Sequence, residues 1–284
     1  MNDFFAAISH SFYRYVLAGS VLSSLSCGII GSYITVKKIS YIAGAISHSV
    51  MAGMGAAVFL YSRTGLDFFT PINGAFFSAI LAAIIIGLVT IHGGQRMDTV
   101  LSAIWSLGMA SGILFLYFSP GFQKNIVSFL FGNILMIDIA DLYIIFILDF
   151  VIVLFVILFY NKIFAITFDE DFARTRGIRV GIFQFILLMF IAITIVALTR
   201  IVGIVMVIAL LTLPSAIAGL FSKSLKKMMV ISTLLNIFFI IAGLIISFSP
   251  DLPPGSVIII LAGITYFVAL ILKNIIVKLY RKTI

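Results

Sequence analysis

The sequence predicts an all-α, polytopic integral membrane protein of eight or nine transmembrane helices, organised as one domain over residues 1–284. Three observations predict it. Hydrophobic residues make up 63% of the chain and charged residues 10%, whereas a soluble domain carries about 25% charge. Mean hydropathy is +1.28. The apolar residues fall into runs of spanning length separated by short polar breaks, and the longest polar stretches are only 119–138 and 161–179.

The runs lie at about 14–36, 39–61, 71–91, 99–118, 139–160, 180–199, 201–221, 228–248 and 256–277. The boundary between the sixth and seventh rests on Thr199-Arg200 alone, so eight full spans plus a shorter piece also fits. The opening residues, MNDFFAAISHSF, lack a basic n-region, and the run after them is long enough to span and stay, so no cleaved signal is expected. Lys and Arg set the orientation. With the C-terminus KLYRKTI in the cytoplasm and the N-terminus outside, 14 of the 18 basic residues fall inside and only Arg14, Arg63, Lys124 and Arg200 outside. The net charge of +8 is then a positive-inside bias. Nucleic-acid binding is a poor reading, because no basic, aromatic-studded soluble domain exists to carry it. The single cysteine, Cys27, allows neither an internal disulfide nor a thiolate metal cluster.

The second run, ISYIAGAISHSVMAGMGAAVFL, carries His48. From Ile39 to His48 is about 14 Å along a helix, close to half of a hydrocarbon core of about 30 Å. An ionisable group at that depth is costly and reads first as functional. Small residues at four-residue spacing (Ser40/Gly44, Ser49/Gly53, Ala52/Ala56) predict that other helices, not lipid, surround it. A neutral imidazole there can ligate a transition metal, and the alternative is a buried histidine bonded to a serine or a carbonyl. Asp149 lies at the middle of the fifth run. It is a second ligand, a proton carrier, or a carboxyl bonded to a neighbouring helix. Asp138 and Asp141 are expected to be solvated at the outer edge, Asn236 and Gln184 to bond helices together, and His10 and His92 to lie at the surface.

Within 161–179, Thr167 and Glu170 fit a capping box. Acids Asp169, Glu170 and Asp171 follow in the first turn, Arg174 and Arg176 in the last, and Gly177 as a stop. A cytoplasmic helix of about nine residues is expected, either a docking handle for a partner or a solvated connector. Pro214 is expected to kink or interrupt the seventh span. The sequence has no G-x-x-x-x-G-K-[ST], H-E-x-x-H or G-x-S-x-G motif, so an enzyme is not expected.

Six segments, taken in order, resemble the membrane permease of the ABC importers for zinc, manganese and iron, the metal-ion family often called ABC-3. They are KKISYIAGAISHSVMAG at 37–53, DTVLSAIWSLGMASG at 98–112, FLFGNIL at 129–135, FDEDFARTRGI at 168–178, VGIVMVIALLTLPSAIAGL at 202–220 and GLIISFSPDLPPGSVIIIL at 243–261. The resemblance implies a type II ABC importer permease in the cell (inner) membrane, embedded in lipid. Two copies would form the pathway as a homodimer, with a separate cytoplasmic ABC ATPase below and an extracytoplasmic metal-binding protein above. It binds no cofactor: the metal is cargo, Zn2+ or Mn2+, or else Fe2+. It implies that His48 belongs to the metal pathway and that Asp169, Glu170, Ala173, Arg174 and Gly177 form the ATPase-coupling helix. The family often carries an aspartate four residues before this histidine; here that position is Gly44. Loss of that hard oxygen ligand leans toward zinc, and Asp149 is the candidate substitute. The competing expectation is a proton-coupled secondary transporter using Asp149 and His48, and a third is a purely structural membrane subunit.

Overall fold

The computed structural model describes residues 11–93, 96–119, 130, 137–248 and 252–282. His10 and most of the 119–138 and 129–135 segments lie outside them, as does the His92 side chain. The described helices are α1 (Ser11–Val36), α2 (Ser40–Thr64), α3 (Pro71–His92), α4 (Met97–Tyr117), α5 (Ile139–Phe168), α6 (Glu170–Thr175), α7 (Val180–Val202), α8 (Ile204–Phe221), α9 (Leu225–Phe248) and α10 (Pro254–Lys282). All but α6 are long and apolar enough to cross a membrane, giving nine spans among the described residues.

The α7–α8 boundary falls at Gly203 rather than at Thr199-Arg200. Its φ of 80° lies where a Cβ is unfavourable, so the glycine breaks the helix within an otherwise apolar run. Helix α8 continues through Pro214 without interruption. Around the proline, the Ser215 hydroxyl donates to Leu211 O at 2.7 Å and meets the Thr35 hydroxyl of α1 at 2.7 Å. Side-chain hydroxyls thus satisfy polar groups that lipid cannot.

Helix α5 extends past the expected end at 160 to Phe168, about 45 Å in all. Its two faces show why such a helix needs a membrane. Ile145, Leu148, Ile152 and Val156 are buried, while Phe146, Ile147, Phe150, Ile157 and Leu158 are exposed. A helix apolar all round has no stable place in water. Asp138 and Asp141 cap its start reciprocally: Asp141 N donates to Asp138 Oδ1 at 2.9 Å, and Asp138 N to Asp141 Oδ2 at 3.3 Å. Asp141 is buried, contrary to the expectation of a solvated carboxylate, because the cap draws it into the first turn.

The core is a web of helices around α1, α2 and α8. Helix α2 packs on α3, α4, α7 and α8; α1 packs on α5, α8 and α9. The small residues of α2 are used as expected. A Cβ on Gly55 would come within 2.5 Å of Gly112 O of α4, and one on Gly108 within 2.8 Å of His48 O. Backbones this close leave room only for glycine at the seam.

Candidate functional site

His48 sits about a third of the way along α2 and is 8% exposed. Its neighbour is Trp105 of α4, whose ring stacks on the imidazole with centroids 4.3 Å apart and planes 25° from parallel. The register of α2 and α4, which run side by side in the same direction, makes this contact. Tyr41 and Asp98 border one hollow, Gly108 meets the backbone of His48 and Ser49, and Gly112 meets Met51. His48 Nδ1 is buried with no hydrogen-bond partner among the described residues. An orphaned buried nitrogen normally costs about 1–3 kcal/mol. Neither the serine nor the carbonyl that would make this a structural histidine is bonded to that nitrogen.

Gly44, one turn earlier on α2, faces the same indole. A Cβ placed on it would run into Cζ3 of Trp105 and lie 3.0 Å from Cη2. The aromatic ring thus fills the space beside the imidazole that a side chain at position 44 would need.

Asp149 is also buried, but elsewhere. Its Oδ1 accepts a hydrogen bond from the Ser26 hydroxyl of α1, while Oδ2 has no partner among the described residues. Helices α2 and α5 are not packing partners, so the fold does not bring His48 and Asp149 together. Among the described residues no group of three or more His, Cys, Asp or Glu side chains could hold a metal within one copy of the chain.

The 168–178 segment folds as a shorter helix than expected. Thr167 does not cap it. Helix α5 runs through this position, and the hydroxyl returns to Ile163 O at 2.7 Å, the usual fate of a threonine inside a helix. The cap is Asp169, extended at φ −151°, whose Oδ1 accepts from Phe172 N at 2.9 Å. Helix α6 then has six residues and stops at Gly177, with φ 75°. Ala173 is fully buried in a small cluster with Ile166 and Val180, fastening α6 to α5 and α7. Glu170 Oε1 takes two donors: Lys37 Nζ at 3.0 Å, from the end of α1, and Gln184 Nε2 at 2.6 Å, from α7. Asp169, Asp171, Phe172 and Arg174 are exposed. Gln184 therefore ties α7 to α6 near the start of α7, whereas Asn236 bonds its own helix, donating to Ser232 O at 3.0 Å.

Sequence reasoning missed Trp105 and Ser26, and it missed Gln184 as a partner of Glu170. Ser26 offered no signal among the many serines of α1. Trp105 offered one, as the only tryptophan in the chain, but its pairing with residues 44 and 48 needs the α2–α4 register.

Comparison with known proteins agrees with this architecture. The "Probable metal transport system membrane protein" of Chlamydia muridarum is 38% identical over 272 residues, covering 94% of this chain and 92% of its own length. The "Manganese transport system membrane protein MntC" of Halalkalibacterium halodurans is 28% identical over 262 residues, covering 92% and 87% respectively. Among solved structures, PsaBC from Streptococcus pneumoniae in complex with Fab matches with a TM-score of 0.81 at 27% identity over 94% of both chains. The ABC 3 transport family matches residues 9–273, and with nearly the whole length accounted for, the chain belongs to that family.

Proposed function

We propose that this chain is the membrane-spanning permease subunit of an ATP-driven importer of divalent transition-metal ions, with zinc or manganese as cargo and ferrous iron as the third candidate. Two copies form the pathway in the cell membrane. A separate cytoplasmic ATPase docks on the exposed face of α6, and an extracytoplasmic binding protein delivers the ion. The observation that carries this reading is the His48 imidazole, mid-span, buried, and with Nδ1 left free of hydrogen bonds. Relatives described as metal and manganese transport proteins support it.

A single imidazole per copy suits transport. Tight four-ligand closure would trap zinc, whereas one or two transient ligands let it leave. Affinity then resides in the delivering protein. Asp149 is less apt as a second ligand to the same ion, since α5 does not pack on α2, although Ser26 engages only Oδ1 and leaves Oδ2 without a partner among the described residues. The same separation weighs against a proton relay from Asp149 to His48, because α2 and α5 do not pack together.

The contacts of α6 suit an element that passes motion inward. Asp169 caps it, Ala173 anchors it and Gly177 ends it, while Arg174 faces outward and Glu170 reaches both Lys37 and Gln184. Lys37 directly follows α1 and opens the three-residue break that leads into α2 and His48.

The test is uptake of Zn2+ and Mn2+ into vesicles holding the reconstituted complex. His48→Ala is expected to lower uptake more than about tenfold, the scale of one lost ligand-shell interaction, with assembly intact. Wild-type uptake at equal expression would remove His48 from the pathway.

A further inference from the structure

Beside the stacked rings lies a hollow of about 460 Å³, lined by Tyr41, Asp98, Leu101, Ser102, Trp105 and Ser106. It begins near the first turns of α2 and α4, the end of the protein that also carries Lys37, Lys38 and Arg96. By the charge bias this is the cytoplasmic end. Its lining is unusual for a membrane helix: a carboxylate, two serines and a phenol line a path ending at an indole. Trp105 lines this hollow and is 36% exposed, while His48, stacked on the same indole, is 8% exposed and does not line it.

We propose that Trp105 is the cytoplasmic-side cover of His48, and that the Tyr41–Asp98–Ser102–Ser106 hollow is the exit an ion takes once the indole swings aside. The inference rests on the reading of His48 as a pathway residue. Three features of the geometry support the cover. The stack hides one imidazole face. Gly44 supplies the flat backbone against which the indole lies, since any Cβ there would push it off. The hollow gives the ring somewhere to go. An aromatic stack is a weak contact and reversible on the timescale of transport, which suits a part that must open in each cycle. Trp105 is thus a positioning residue. It fixes the plane of the imidazole and shields it from water, while Asp98 offers the first oxygen ligand a departing divalent cation meets.

The test is the reactivity of His48 toward diethyl pyrocarbonate in the full-length permease in nanodiscs, read peptide by peptide against His10 and His92. In the wild type His48 is expected to react slowly. Trp105→Ala is expected to speed its modification about tenfold, near the limit of what one stack can hold back, with His10 and His92 unchanged. Trp105→Phe keeps a stacking ring and is expected to stay within about twofold of wild type. Should Trp105→Ala not give a monodisperse protein, Trp105→Leu fills the space without a stack and is expected to react faster than the Phe variant. Equal His48 reactivity in the wild type and in the variant lacking the ring would overturn the cover. That failure is separable from failure of the proposed function, which is read from uptake by His48→Ala. Impaired uptake in that variant with equal reactivity here would sink the cover alone.

Discussion

Two seams of this molecule each bury an ionisable side chain at mid-span, and they treat it in opposite ways. At the α1–α5 seam, Asp149 is met by a donor, the Ser26 hydroxyl of the facing helix. At the α2–α4 seam, His48 is met by an indole face that satisfies neither ring nitrogen, and Nδ1 stays free. Both residues look alike in sequence: one titratable group in a long apolar run. The partner distinguishes them. A carboxyl given a hydroxyl contributes to helix association, because lipid offers it no alternative. An imidazole given only a stack is held in place with Nδ1 unspent, which is the feature the proposed metal role of His48 uses.

This contrast can be broken by substitution. The largest effect is expected at the α2–α4 seam itself. Gly108→Leu drives a side chain into the backbone of His48 and Ser49, at about 3 kcal/mol or more of overpacking. Thermal unfolding of the detergent-purified chain should show it, and a melting curve like wild type would mean that the two helices do not approach as closely as described. Next, Ser26→Ala leaves Asp149 without its donor and is expected to cost about 1–3 kcal/mol, with metal uptake by the folded fraction retained. Loss of uptake at full stability would move Asp149 into the pathway.

Asp149→Asn sharpens the comparison further. The amide oxygen still accepts from Ser26, so stability should change by less than about 1 kcal/mol and uptake should remain near wild type. A collapse of uptake would revive Asp149 as ligand or proton carrier. The smallest stability effect is expected for Glu170→Gln. The partner Lys37 is largely buried but Glu170 is 40% exposed, and an ion pair with one open end contributes about 0.2–1 kcal/mol. Its signature is functional: ATP hydrolysis by the complex that continues while uptake falls. Wild-type coupling would leave the Lys37–Glu170 pair as a fastening only.

Much of this was legible in the sequence because bilayers impose simple rules. Nine long apolar runs had to be helices, since no other open backbone survives in lipid. The small residues of α2 had to face neighbours, and they do. Gly177 had to stop the helix before it. The failures share a cause. Thr167 reads as a cap only if the chain leaves helix there, and nothing local said that α5 would continue to Phe168. Asp141 reads as solvated only if its turn is open, and the reciprocal cap with Asp138 closes it. Gly203 outranks Thr199-Arg200 as a breaker because backbone conformation, not polarity, ends an intramembrane helix.

The sequence by itself determined the class of solvent, the element type, the number of crossings to within one, and the two residues whose burial needed explaining. Those properties follow from composition and period, which act along the chain. Tertiary structure alone decided which helices meet, and with that the chemistry of each buried group. Ser26 on Asp149, Trp105 over Gly44 and His48, and Glu170 between Lys37 and Gln184 are contacts between helices. No periodicity within one helix can specify the register of another against it, because lipid and protein are equally apolar and only the close fit of small residues and polar pairs fixes the choice.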